Sequence, residues 1–141
     1  MKKVKFLLSI TTILLLTFYG CKKYPEGPSV SLRSRTERVA NNWKVGQVLD
    51  KGKDVTSRYN KYELTTTESG IAKLTVKYDI FGTAFEYATT GTWVFVSNQE
   101  KLSFDFNNDN ADGVYQILKL EEQEMWLKED GGSLELHYVP R

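Results

Sequence analysis

The stretch Ala72-Lys73-Leu74-Thr75-Val76-Lys77-Tyr78-Asp79 decides the fold of this chain. Its apolar residues occupy every second position, and the positions between them are polar or charged. This period of two is typical of a β-strand that buries one face and exposes the other to water. Because Glu68-Ser69-Gly70 forms a turn signal just before it, we take residues 72–79 as one strand and extend the analysis in both directions.

The same alternation continues over most of the chain from Trp43 to the C-terminus. The predicted inward positions are Trp43, Val45, Leu49, Tyr62, Leu64, Phe85, Tyr87, Trp93, Phe95, Leu102, Phe104, Phe106, Leu134, Leu136 and Tyr138. Turn signals such as Asp130-Gly131-Gly132 separate the segments. Residues 29–139 contain no proline, which favours continuous sheet because proline removes a backbone donor. Residues 84–97 form either one long bent strand or two strands with a corner at Gly91.

Eight to nine such strands, joined by short turns, predict an all-β fold. Parallel strands would need crossovers of about a dozen residues. None is available, so we expect an antiparallel up-and-down meander in sequence order. A meander of this length closes most readily into a barrel, because closure removes both exposed edges. Ser34 and Glu37 stand in capping-box spacing and predict one short helix, over about residues 36–41, before the first strand.

Residues 1–20 have the pattern of an export signal. Lys2, Lys3 and Lys5 precede an apolar run over residues 6–18, and the small residue Gly20 stands at the cleavage position. Cys21 follows at once and is the only cysteine of the chain. This position is typical of bacterial lipoproteins, in which the cysteine is acylated with chains such as palmitate. An ordinary secretory signal with an incidental cysteine is the alternative.

The rest of the chain divides into a tether and one domain. Residues 21–33 hold two of the three prolines and show no apolar period, which predicts a flexible lipidated tether. Residues 34–141 form the predicted barrel. Without residues 1–20, sixteen basic side chains face eighteen acidic ones, so charge gives no reason to expect a nucleic-acid partner. We expect a monomer held at a membrane by Cys21.

The residue types that carry catalysis are scarce. With one histidine and one cysteine, the chain lacks the parts of a nucleophilic site or a zinc site, and His137 falls on an outward phase. The acidic residues mostly fall on outward phases or turns. The polar segment 105–113 resembles a calcium loop, but neither register supplies the acid at its twelfth position. We therefore predict a polar hairpin loop there, with a weak, partly hydrated Ca²⁺ site as the alternative. For the chain we predict no metal ligands, no cofactor and no enzymatic activity.

The aromatic residues are the best indication of function: 3 Trp, 8 Tyr and 7 Phe. Plain core packing is one interpretation, and an aromatic-lined pocket for an apolar ligand is the other. The candidate pocket residues are Trp43, Tyr62, Tyr78, Tyr87, Trp93, Phe104 and Tyr138. Trp126 alternates with Met125 and Leu127, which predicts an exposed ring that could mark a contact patch.

The order of these features resembles the small lipocalin-like lipoproteins of Bacteroidetes-type bacteria over about residues 34–140. The matching residues are the Cys21 anchor, Arg38-Val39-Ala40-Asn41-Asn42-Trp43-Lys44-Val45, Gly52-Lys53-Asp54-Val55-Thr56, Gly91-Thr92-Trp93, Ile117-Leu118-Lys119-Leu120 with Met125-Trp126-Leu127, and Leu134-Glu135-Leu136. The resemblance implies a lipocalin-like barrel with an apolar cavity and no catalytic residues. It also implies that Trp43 packs across the closed end, with Arg141 the candidate for the arginine that stacks on it.

Together these features predict a lipid-anchored protein of the cell envelope, on the periplasmic or outer-membrane side. Its barrel would bind a small apolar ligand or have a purely structural role. The alternative is a module of the envelope that binds glycans or assembles with other proteins. An apolar cavity of about 300 Å³ or more would favour the ligand carrier, whereas a filled barrel with an exposed Trp126 would favour the interaction module.

Overall fold

The computed structural model describes residues 31–59 and 61–141, without the side chains of Tyr78 and Asp79. The predicted signal segment, Cys21 and most of the predicted tether therefore lie outside the described residues. Within these ranges the chain forms one short α-helix, α1 (Arg35–Val39), two single 3₁₀ turns (Thr56–Arg58 and Asp109–Ala111) and nine strands. The strands are β1 (Asn42–Asp50), β2 (Lys53–Asp54), β3 (Tyr62–Thr66), β4 (Ile71–Ile80), β5 (Thr83–Val96), β6 (Lys101–Phe106), β7 (Gly113–Leu120), β8 (Met125–Glu129) and β9 (Leu134–Pro140).

The strands form a closed antiparallel barrel. From β3 to β9 each strand pairs with the next in sequence, β1 pairs with β3, and β9 returns to pair with β1. The two-residue strand β2 adds to β1 outside this ring. The predicted all-β meander with one preceding helix is thus confirmed, and closure leaves β1 and β9 without the free edges of an open sheet.

The two ends of the barrel differ. Helix α1 and the turns after β3, β5 and β7 lie at one end, which we call the closed end. Arg38 of α1 donates from Nη1 to the carbonyl of Leu120 at 3.1 Å, and Arg35 donates to Gln99 at 2.5 Å. The turns after β4, β6 and β8 lie at the opposite end, which we call the mouth. The first described residues of the chain therefore enter the barrel at its closed end.

The predicted capping box forms at the start of α1. The Ser34 hydroxyl accepts from the backbone N–H of Glu37 at 3.2 Å, and the Glu37 carboxylate accepts from the backbone N–H of Ser34 at 2.6 Å. These bonds lower the pKa of Glu37. The helix ends at Val39, earlier than predicted, because Ala40 is already extended. The carbonyl of Val39 is thereby free to accept a hydrogen bond from the indole N–H of Trp43 at 2.8 Å. This bond holds the indole across the closed end of the barrel.

Arg141 does not have the role that the resemblance implied for it. Its guanidinium lies on the outer surface and pairs with Glu63 at 2.7 Å. The cation buried at the closed end is Arg38 instead. The C-terminal position of Arg141 explains the difference, because its backbone N–H continues the ladder by donating to Asn42 and directs the side chain along the outside of β3.

Two irregularities shift the inward phase of their strands. The register between β1 and β9 shifts at Gly46, so Val48 is fully buried and Leu49, predicted to face inward, is only partly buried. A second shift, between Ile117 and Lys119 on β7, returns Leu120 to the interior. An extra residue in one strand turns all later side chains to the opposite face, which explains the departure from strict alternation.

Residues 83–96 form one continuous strand, which settles the choice left open at Gly91. Gly91 lies opposite Ala72 on β4 and Phe106 on β6. A Cβ atom at this position would lie 2.5 Å from the Cα of Phe106 and closer still to the Asp105 carbonyl. Glycine is therefore needed here for the close approach of β5 to β6, without a break in the strand.

Candidate functional site

The barrel contains a half-open apolar cavity in the half nearer the mouth. Its volume is about 40 Å³. The lining residues come from β3, β4, β6–β9 and the loop after β6: Leu64, Leu74, Phe104, Phe106, Ala111, Tyr115, Leu127, Leu136 and Tyr138. None of them is charged, so the cavity offers apolar surface and two phenol hydroxyls. This composition suits an uncharged ligand.

The half nearer the closed end is packed solid. Trp43, Leu120 and Met125 are fully buried there. Trp93 is also buried, and its indole N–H donates to the carbonyl of Thr67 at 2.9 Å. With both indole N–H groups bonded to backbone carbonyls, Trp43 and Trp93 are satisfied core residues that form the floor beneath the cavity rather than its lining.

The hairpin of β4 and β5 extends beyond the mouth. Its two strands pair with each other as far as Ile80 and Thr83. The neighbours are shorter, because β3 reaches only Val76 and β6 reaches only Gly91. We call the projecting part, residues 77–90, the overhang. Its backbone is paired within the hairpin, so it projects as regular sheet rather than as an irregular loop.

The face of the overhang that continues the barrel interior is apolar and open to water. Phe85 and Tyr87 share the phase of Trp93 on β5, yet they are 44% and 40% exposed. Ile80, in the phase of the cavity residue Leu74 on β4, is 47% exposed. Phe85 and Tyr87 were predicted to face inward. They do continue the interior face, but β3 and β6, the strands that would cover them, end before they reach these residues.

The loop between β6 and β7 meets the overhang at the mouth. The amide of Asn108 donates to the Tyr87 hydroxyl, and Ala111 of the same loop lines the cavity. Asp112 accepts from the backbone N–H of Phe106 at 2.7 Å, and Asn108 accepts from that of Asn110 at 3.1 Å. The polar residues of segment 105–113 thus satisfy the loop's own backbone, as the predicted hairpin loop requires.

Three phenols lie close together inside the barrel. Tyr138 is 5% exposed, Tyr115 is mostly buried, and both line the cavity. Burial, and then the neighbouring phenols of Tyr115 and Tyr62, raise the pKa of Tyr138 far above its usual value. Burial and the nearby carboxylate of Glu129 also raise the pKa of Tyr115. The hydroxyls of Tyr138 and Tyr115 therefore stay protonated and remain hydrogen-bond donors.

The candidate pocket residues from the sequence fall into four groups. Phe104 and Tyr138 line the cavity, Trp43 and Trp93 lie beneath it, Tyr62 packs partly buried beside it, and Tyr87 lies on the overhang. The side chain of Tyr78 is outside the described part of the chain.

The structure adds seven residues to the lining: Leu64, Leu74, Phe106, Ala111, Tyr115, Leu127 and Leu136. The alternation predicts an inward phase for Leu64, Leu74, Phe106 and Leu136, but the choice of aromatic residues alone omitted the aliphatic ones. It does not predict the phase of Tyr115, because residues 114–120 are apolar on both faces.

Trp126, predicted to be exposed, is half-buried on the outer surface of β8. The imidazole of His137 on β9 stacks parallel to the indole, with ring centroids 4.2 Å apart. From the strand on the other side, the ammonium of Lys119 lies 4.6 Å from the indole centroid. Because both neighbouring strands place a side chain on this ring, Trp126 does not offer an open face for stacking a sugar or a partner's side chain.

The described residues contain no group of three or more His, Cys, Asp or Glu that could hold a metal ion. Residues 31–59 and 61–141 also include no helix with the length and apolar character that crossing a membrane requires.

Comparison with known proteins supports the fold. No family model matches the chain, and no curated protein does either. Among solved structures, it is similar to a lipocalin-like protein from Bacteroides uniformis, with a TM-score of 0.57 and 10% identity over 74% of this chain and 99% of that one. It is also similar to a DUF4847 family protein from Bacteroides vulgatus, with a TM-score of 0.52 and 10% identity over 72% and 93% of the two chains. The predicted lipocalin-like fold is confirmed.

Proposed function

We propose that this protein is a binding lipoprotein of the cell envelope, held at a membrane by acyl chains on Cys21, whose barrel takes up a small apolar ligand at its mouth. The observation that carries the proposal is the continuity between the buried cavity and the exposed inner face of the overhang. On the inner face, Val76 follows the cavity residue Leu74 along β4 and pairs with Tyr87 of the overhang. The proposed role is ligand binding without a catalysed reaction.

The exposed apolar surface of the overhang is energetically unfavourable in water. Phe85 and Tyr87 keep a large part of their rings in water, although burying such a side chain would contribute about 1.5–3 kcal/mol. Exposed apolar surface beside a cavity marks a place where another apolar molecule binds. A ligand that covers these rings while entering the cavity would recover that free energy.

The size of the cavity limits how the ligand binds. Pockets that enclose a whole drug-sized ligand hold about 300–1,000 Å³, and this cavity holds about 40 Å³. Only a few atoms of the ligand fit inside. The rest would lie along the overhang, against Phe85 and Tyr87, so the ligand would be elongated rather than compact.

The chain enters the barrel at the end opposite the mouth, because residues 21–33 lead into α1, which lies at the closed end. Acyl chains on Cys21 would therefore attach the protein to the membrane through its closed end, and the attachment would leave the mouth unobstructed.

An interaction module for glycans or envelope proteins is the second candidate. The small cavity favours it, because it falls below the size expected of a carrier that encloses its ligand. The Trp126 surface does not favour it, since His137 and Lys119 flank the indole from both neighbouring strands. The exposed aromatic residues at the mouth remain the surface that such a partner would use.

Native mass spectrometry of the full chain, purified in detergent from its own membranes, tests the ligand proposal. A co-purified small molecule that is released when the protein unfolds would support it. Repeated preparations without any bound species beyond detergent and the acyl chains would contradict it.

A further inference from the structure

We propose that the cavity recognises an apolar molecule through one uncharged hydrogen-bond acceptor, such as a ketone or ester carbonyl oxygen, to which the hydroxyl of Tyr138 donates. The inference rests on the proposed ligand-binding function and names the chemical class of the ligand. It follows from an unpartnered donor inside the barrel and from the absence of charge around it.

Tyr138 is the central residue. Its side chain is 5% exposed and lines the cavity. Within residues 31–59 and 61–141 its hydroxyl has no hydrogen-bond partner. The hydroxyl oxygen is not one of the fully enclosed polar atoms that lack a partner, so it opens onto the cavity, where a molecule that enters can accept its hydrogen bond. Such a hydroxyl takes a partner from water or from a ligand, because an unpaired donor is unfavourable in an apolar interior.

The surroundings of Tyr138 select an uncharged partner. The cavity lining contains no lysine, arginine or histidine that could neutralise an anion. Transfer of an unpaired carboxylate into such a site is strongly unfavourable. The Glu129 carboxylate, which lies near Tyr115, would repel an anion further. The phenols of Tyr138 and Tyr115 stay protonated, so they offer donors, and the complementary group is a neutral acceptor.

The cavity also has room for water, which the ligand would replace. A volume of about 40 Å³ accommodates about three water molecules at about 10–15 Å³ each. A water molecule bonded to Tyr138 would be displaced by a carbonyl oxygen, which keeps the hydrogen bond, whereas a hydrocarbon would break it. The difference in binding free energy between the carbonyl compound and the hydrocarbon should therefore be close to the net contribution of one hydrogen bond.

Two probes of similar shape test this proposal: acetophenone, which has a carbonyl group, and ethylbenzene, which does not. The protein is residues 22–141, which contain the whole closed barrel and its core. Isothermal titration calorimetry gives the two affinities, and infrared spectroscopy gives the carbonyl stretching frequency of bound acetophenone. A hydrogen bond to that oxygen lowers the frequency, whereas a change in packing alone does not.

We expect acetophenone to bind about fivefold more tightly than ethylbenzene, as one net hydrogen bond allows, with its carbonyl band shifted to lower frequency. Tyr138→Phe should remove both the preference and the shift while ethylbenzene binds as before. Tyr59→Phe is the matched control, because Tyr59 packs on Tyr62 outside the cavity lining. Loss of the Tyr59 hydroxyl should change neither the preference for acetophenone nor the shift of its carbonyl band.

The outcomes separate this inference from the function on which it rests. If ethylbenzene binds and acetophenone shows no preference, or if the preference survives in Tyr138→Phe, the acceptor proposal is wrong and ligand binding stands. If neither probe binds to the protein, both proposals are contradicted.

Discussion

Val45 on β1 lies directly opposite Tyr138 on β9, across the seam where the two ends of the sheet join to close the barrel. This pairing turns the phenol of Tyr138 inward, towards the cavity. Because side chains alternate along a strand, a slip of one residue at this seam would turn Tyr138 outward. Closure of the barrel and placement of the donor therefore depend on the same register.

Replacing Tyr138 by phenylalanine should leave the ligand-free protein at least as stable. The hydroxyl has no partner in the described chain, so its removal breaks no internal bond; we expect the free energy of unfolding to rise or to fall by less than about 0.5 kcal/mol. Urea denaturation measures this change. Leu127→Ala, which empties a fully buried position, is the control and should cost about 2–4 kcal/mol. A loss above about 1 kcal/mol in Tyr138→Phe would indicate a structural role for the hydroxyl.

Gly91→Ala should destabilise the barrel severely. The added methyl group would collide with the backbone of β6 at Asp105 and Phe106, so the two strands would have to separate, at an expected cost of more than about 3 kcal/mol. Thermal unfolding followed by circular dichroism measures it. Gly46→Ala is the matched control, because its methyl group would meet the Val139 side chain at 3.3 Å and the His137 carbonyl oxygen at 3.4 Å, a tight contact that a small movement of the Val139 side chain relieves. Equal losses in the two variants would refute the close-approach argument.

The ion pairs of Glu63 predict a small dependence of stability on pH. Lys77 at 2.9 Å and Arg141 at 2.7 Å lower the pKa of Glu63 below its ordinary value of 4.5. The stabilisation is thus fully present above that value and is lost as the pH falls through the lower, folded-state pKa.

Since Lys77 and Arg141 are largely exposed, we expect Glu63→Gln to reduce the stability difference between about pH 6 and about pH 3 by no more than about 1 kcal/mol. Urea denaturation at the two pH values measures this. Glu122→Gln, at an exposed position without an ion pair in the described chain, should leave the difference unchanged. An increased difference in Glu63→Gln would contradict the assignment.

Cys21→Ser should abolish acylation and release the protein from the membrane. Stable anchoring needs about two acyl chains, and Cys21 is the only cysteine that could bear a thioether-linked lipid. Metabolic labelling with a fatty acid, followed by membrane fractionation, measures both effects. Gly20→Ala keeps a small residue before the cysteine and should label normally. Unchanged labelling in Cys21→Ser would refute the anchor.

Strand positions were predictable from the sequence because their signal is local. Leu102, Phe104 and Phe106 alternate with polar residues and are all buried as predicted. The prediction was wrong where a strand carries an extra residue, as at Gly46, because the alternation before and after a bulge looks regular on its own. Leu49 was therefore assigned to the face that Val48 occupies.

The exposure of the overhang could not be predicted from the sequence. Phe85 and Tyr87 carry the same alternation as the buried Trp93 on the same strand. What exposes them is the shorter length of β3 and β6, which is a property of their neighbours. The cavity, too, could not be predicted, because it depends on which side chains of six strands and one loop meet across the barrel.

Binding of diphenylhexatriene, an elongated and uncharged fluorophore that is dark in water, tests the central claim most directly. The barrel should bind it saturably, one molecule per chain. Ala111→Phe, which fills the cavity mouth, should weaken binding by at least about tenfold, equivalent to about 1.4 kcal/mol. Ala88→Phe, on the opposite face of β5, should bind as the unmodified protein does. No saturable fluorescence, or binding that Ala111→Phe leaves unchanged, would contradict a ligand site formed by the cavity and the overhang.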